Sequence, residues 1–194
     1  SLVLVGVVGG IATLTSDKIA ALTSAQFDYL STAQIASISS AGIAGLATED
    51  VATFAPTDVA ALNSRALAAM STENFAALTS TQLAGLTTAQ VAAVTTAQIG
   101  VLTTDDIDGL DTAQVGALTS AQVAAMSTAN LASFSTEQIA ALGTRVFASL
   151  TSDQVTALTS AQIGVLSTGQ LAALSTGAIA GLQTALTPDE RREA

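Results

Sequence analysis

The 194-residue chain has no cysteine, no histidine and no tryptophan. Without Cys it forms no disulfide, and without Cys and His it lacks the usual ligands of zinc and haem. The absence of His also removes the commonest general acid–base. Ser and Thr are abundant but have no imidazole to activate them, Lys18 is an isolated amine, and no glycine-rich phosphate loop is present. Catalysis, a cofactor and a small-molecule substrate are therefore not expected. Aromatic residues make up 3% of the chain, so its apolar 49% is chiefly Ala, Leu, Val and Ile. Such a composition suits thin, closely approaching layers and argues against disorder.

Positive charge is scarce too. Lys18, Arg65, Arg145, Arg191 and Arg192 face fifteen acidic residues, for a net charge of −10. Phosphate binding needs clustered Lys and Arg, so this balance repels nucleic acid and anionic membrane surfaces, and neither nucleic acid nor a membrane span is expected. The apolar stretch at residues 1–10 is shorter than the roughly 20 residues of a spanning helix. It also lacks the basic start and cleavage site of a signal peptide. It reads as part of a degenerate first repeat or cap at residues 1–13, because Ile11 already sits in phase with Ile19.

What the chain does have is a period of eight. A large apolar residue recurs every eighth position from Leu14 to Leu182, and a second lies five residues after each, from Ile19 to Ile179. The unit is clearest in Leu86-Thr87-Thr88-Ala89-Gln90-Val91-Ala92-Ala93. Counting the Leu as position 1, position 2 is Ser or Thr in sixteen of twenty-two octads. Asn63, Asp111 and Gly143 are further N-cap residues, whereas Ala47, Ala55 and Gln183 are misfits. Position 5 is usually Gln, with Asp50, Asp58 and Asp106 as variants. Ser/Thr-x-x-Gln is a capping box, and positions 1 and 6 are then the pair of a hydrophobic staple. Pro56 falls on the first helical residue, where proline is tolerated. Acids such as Asp17, Glu49, Glu73, Glu137 and Asp153 fall in the first turn, where they suit the helix dipole. Every octad therefore predicts the start of a new helix.

One continuous helix is excluded. Eight residues advance a helix by about 800°, so the Leu position would drift by about 80° per octad and form no apolar stripe. A β-solenoid would want strict alternation, which Ala-Gln-Ile-Ala-Ala does not supply. The expected fold is all-α: a solenoid, or superhelix, of short helices of about two turns, one per octad, over residues 14–186. Residues 187–194 read as a polar terminal cap or linker. Small residues at positions 7 and 8 are expected to let successive helices approach closely. One octad cannot stand alone, so stability must come from its neighbours.

The regularity breaks in a few places. Asp105, Asp106, Asp108 and Asp111 place four carboxylates in seven residues, a calcium candidate by ligand type but not by EF-hand spacing. The alternative is that Asp105 and Asp106 are first-turn acids, Asp111 an N-cap and Asp108 a solvated residue. Asp28 and Tyr29 replace the small residues at positions 7 and 8, which points to local repacking more than to ligand contact. Arg65 and Arg145, both at position 4, suggest salt bridges to acids on neighbouring turns. Met70 and Met126 occupy position 1 as core residues. Position 3 is Ser or Thr in every octad except at Pro56. Two roles are open for it: bonding carbonyls at the end of the preceding helix, or forming a hydroxyl ladder on the outer surface.

The octads Leu118–Ala125 and Leu158–Val165 resemble the LTTAQIAA-type tracts of very large bacterial exoproteins, often labelled adhesins or haem-utilisation proteins. The resemblance spans about residues 14–182. It implies an extracellular or cell-surface location and a role as stalk, spacer or surface-layer element, or in adhesion. Haem fits this chain poorly, since Tyr29 is its one Tyr beside the missing His and Cys. The residues themselves leave open a protein- or peptide-binding solenoid that uses variable position 4, and end-to-end or side-by-side self-association.

Overall fold

A computed structural model describes residues 15–176, 178 and 179. The expectations for residues 1–13 and 187–194 lie outside this range. The described residues form twenty short helices and no strand. The chain divides into two compact units that meet in sequence between Val101 and Leu102. Unit 1 holds α1 (Ser16–Ala20), α2 (Ser24–Phe27), α3 (Thr32–Ala36), α4 (Ser40–Ile43), α5 (Thr48–Val51), α6 (Pro56–Ala61), α7 (Ser64–Ala69), α8 (Thr72–Ala76), α9 (Ser80–Ala84), α10 (Thr88–Ala93) and α11 (Thr96–Ile99). Unit 2 holds α12 (Thr104–Asp108), α13 (Thr112–Gly116), α14 (Ser120–Ala125), α15 (Thr128–Ser133), α16 (Thr136–Ala141), α17 (Thr144–Ser149), α18 (Ser152–Ala157), α19 (Ser160–Gly164) and α20 (Thr168–Ala173).

Each helix starts where the octad says it should. In α10 the Thr87 hydroxyl accepts from the Gln90 amide at 3.2 Å, and the Thr87 amide donates to Gln90 Oε1 at 2.8 Å. The same reciprocal pair caps α9, α16 and α20. The helices run only 4 to 6 residues, shorter than the expected two turns. They end early because the position-1 amide closes a tight bond to the position-6 carbonyl, as in Leu86 to Leu83 at 3.0 Å. Positions 1 and 2 are then extended: Leu150 has ψ 137° and Thr151 ψ 161°. Two extended residues redirect the chain, and no described residue has a positive φ.

Packing sets the architecture. Within each unit a helix packs on the helix three octads onward: α1 on α4, α4 on α7 and α7 on α10, and likewise α14 on α17 and α17 on α20. Three octads therefore make one turn of the solenoid. Position 6 faces inward, with Val59, Leu67, Val123 and Ile139 at 0% exposure, and position 1 lines the same core, including Met70 and Met126. The small residue at position 8 faces the first turn of the helix three octads back rather than the adjoining helix. A Cβ on Gly45 would overlap the Ser16 carbonyl, and one on Gly85 would lie 3.0 Å from the Pro56 oxygen. At these two positions close approach is set across turns of the solenoid.

From Gln82 onward the Gln at position 5 does more than cap. In Gln82, Gln90, Gln98, Gln138, Gln154, Gln162 and Gln170, Oε1 accepts from the N-cap while Nε2 reaches one turn back to two carbonyls at a helix end. Gln90 donates to Val59 and Leu62 at 2.8 and 2.7 Å. In unit 2, Gln154 donates to Val123 and Met126, and Gln162 to Leu131 and Phe134. Helix C-termini leave carbonyls without intrahelical partners, and this amide supplies the donor. These Gln side chains are 1–6% exposed, and no buried side-chain N or O among the described residues lacks a partner. Glu would fit the capping box, but its ionised form has no donor for the second task.

Candidate functional site

The four aspartates of residues 105–111 are placed by the octad. Asp106 Oδ2 accepts from the Thr103 amide and hydroxyl at 2.9 and 2.7 Å. Asp111 Oδ1 takes the Gln114 amide at 2.7 Å as N-cap of α13. Asp105 and Asp108 are exposed. Among the described residues no three acidic side chains converge on a common point. Asp108 and Asp111 do share the wall of an open groove of about 490 Å³ with Thr112, Ser133, Ser135 and Gln138.

Position 4 is exposed in every octad from Asp17 to Gly169. Because the solenoid repeats every three octads, position-4 residues 24 apart occupy the same face on successive turns. Arg65 is thereby flanked by Ala41 and Ala89, and Arg145 by Ala121 and Gly169. The acids suggested as their partners do not occupy position 4 of the adjacent turns on those faces. Arg145 instead borders a groove of about 520 Å³ between α14 and α17, lined also by Thr119, Ser120, Gly143 and Thr144. Tyr29 is 75% exposed, so its ring stands on the surface of unit 1.

The position-3 hydroxyl bonds forward along the solenoid in several octads. Ser24 and Thr32 donate to Asp50 and Asp58 at 3.0 and 2.8 Å. Ser120 donates to the Arg145 carbonyl at 3.0 Å. These acceptors lie in the first turn of the helix three octads on, which corrects the reading that the hydroxyl serves the end of the preceding helix. Ser24–Asp50 and Thr32–Asp58 also explain two cap misfits. Ala47 and Ala55 have no side-chain oxygen, but their amides donate to Asp50 and Asp58, both at 3.0 Å.

Among the described residues, one carboxyl has a displaced titration. The Glu137 backbone amide, then the Ser135 and Thr136 hydroxyls, hold its carboxyl below the usual glutamate range. A depressed folded-state value means the interaction is present above the unfolded-state pKa and is lost as pH falls through the folded one. Carboxyl-carbon NMR is expected to give Glu137 a lower midpoint in the native chain than in urea, and Ser135→Ala should narrow the gap. Equal midpoints in the two states would contradict this geometry.

No catalytic constellation forms among these groups; what recurs is the unit of staple, cap, amide and small residue. No curated protein matches the chain. A model of the ALTTAQ repeat does match it, over residues 51–88, 102–128, 120–151 and 131–168, which together span more than half its length. The octads that carry the capping box and the cross-turn amide lie largely in those segments, and by them the chain belongs to the ALTTAQ repeat family.

Proposed function

We propose that this chain is an architectural module, a stalk or spacer in a large secreted or cell-surface bacterial protein, acting without catalysis or cofactor. The observation that carries this reading is the consumption of the recurring position-5 amide, Gln, by the fold itself. What the octad leaves outside is mostly Ala, Ser and Thr, with most of the exposed charge at position 4. The bacterial and extracellular setting rests on the likeness to exoprotein tracts, and a role in adhesion would come from the parent protein.

The test is length. Inserting three consensus octads within unit 2 adds one solenoid turn, and packed helices lie about 8–10 Å apart. Small-angle scattering is expected to show the largest dimension growing by about 10 Å per inserted turn. An unchanged dimension, or swelling in all directions, would refute the reading.

A second reading is supported by the exposure of position 4, the octad position that carries Asp17, Glu49, Arg65, Glu73, Glu137 and Arg145. In it, the variable face binds a protein or peptide, or a second copy of the chain. If alanine at these positions leaves binding to every tested protein partner unchanged, this reading fails.

A further inference from the structure

The cross-turn bonding of unit 1 is graded. Near its C-terminal side, Gln82, Gln90 and Gln98 each donate to two carbonyls one turn back. Earlier in the chain, Asn74 donates to one, Leu46 O at 2.7 Å. Position 5 of the octad before that is Ala66, and its N-cap substitutes: Asn63 Nδ2 donates to Ile38 O at 3.3 Å. At Asp58 and Asp50 the position-5 side chain is a carboxylate and donates to nothing. Each instead receives a single hydroxyl from the turn below. Gly42 has no side chain at all.

The consequence falls on α1 and α2. The carbonyls around Leu22 and Leu30, which a Gln at 50 or 58 would reach, receive no amide from those positions. Leu22 and Leu30 are half-buried, whereas Leu62, Met70 and Leu78 are at most 4% exposed. The inner core does not offset the difference, because position 6 is equally buried at Ile19, Phe27, Val59 and Leu67. One extra contact holds the early turn, the edge-on Phe27–Phe54 pair at 6.2 Å.

We infer that α1 and α2 form a yielding segment built into unit 1, which opens and recloses while the stitched helices from α8 onward stay folded. Proteins open locally in contiguous units of differing stability. Here the boundary is written by the change of position 5 from Asp to Asn and Gln. The inference stands on bond geometry and is independent of the stalk reading.

Native-state hydrogen exchange by mass spectrometry on the full chain tests it. Amides of residues 16–30 are expected to exchange about a hundredfold faster than those of residues 80–99. Asp50→Gln with Asp58→Gln should slow the first group by about tenfold and leave the second unchanged. If that double variant does not fold, Gln82→Asn with Gln90→Asn, which keeps a neutral amide but shortens its reach, should speed exchange of residues 48–61 and leave a smaller gap to residues 16–30. Uniform protection across unit 1, or a gradient that the folded variants leave in place, overturns the inference.

Discussion

Gln90→Glu is expected to destabilise unit 1 by about 3–5 kcal/mol at neutral pH, the cost of a buried charge without a partner. The substitution changes almost no volume. It keeps the acceptor that takes the Thr87 amide at 2.8 Å, and it turns the donor facing Val59 O and Leu62 O into a second acceptor. Three oxygens would then meet with no proton among them, around a side chain 2% exposed. The variant carries its own check. Burial raises the pKa of the new carboxyl above an unfolded value of about 4.3, so the deficit grows as pH rises past that value. At lower pH the protonated group regains one donor, and part of the loss returns. Urea unfolding followed by circular dichroism at two pH values measures both effects. A loss below about 1 kcal/mol at neutral pH would mean the amide is not a structural stitch.

The second large effect is expected at Gly45. Its φ is ordinary, so any residue could adopt the backbone. The constraint is space: an added methyl would overlap the Ser16 carbonyl oxygen and lie 2.8 Å from the Ser16 Cα and carbonyl carbon. Those are backbone atoms and cannot rotate away, so α1 and α4 must separate. Gly45→Ala is expected to cost about 2–3 kcal/mol, in the range of overpacked cores. Gly164, a helical residue where an added methyl would meet nothing within 4 Å, is the control. Gly164→Ala should stabilise by about 0.5–1 kcal/mol through the backbone entropy of glycine. Similar midpoints for the two variants in thermal unfolding would refute the packing argument.

The octad was legible because each of its features is local. A cap, its Gln, a staple pair and a Pro at the first helical residue all lie within a few positions of one another, so sequence alone places every helix start. Packing between helices three octads apart was not legible, because twenty-two near-equal units give no sign of which ones touch. The exceptions held that information. Asn63 accompanies Ala66 because its amide takes over the missing donor, and Asp50 and Asp58 sit 26 residues after the hydroxyls they accept. Gly45 and Gly85 each lie 29 residues after the backbone they must clear. Taken together, those separations point to a turn of three octads. The aspartates of residues 105–111 crowd in sequence, and the cap roles read for two of them are local enough to be visible there: Asp106 and Asp111 serve two different caps.

The reach of the Gln amide also governs how such a chain can fold. The cross-turn bonds described within the units close over at most 31 residues, as from Gln90 to Val59. Lengthening the array adds more closures of the same span and creates no longer ones. The entropy of loop closure, which slows proteins dominated by distant contacts, therefore does not grow with the number of octads. During synthesis, each turn needs only the next four octads to emerge before its carbonyls meet their amides. An array on this plan can be long without becoming slow to fold.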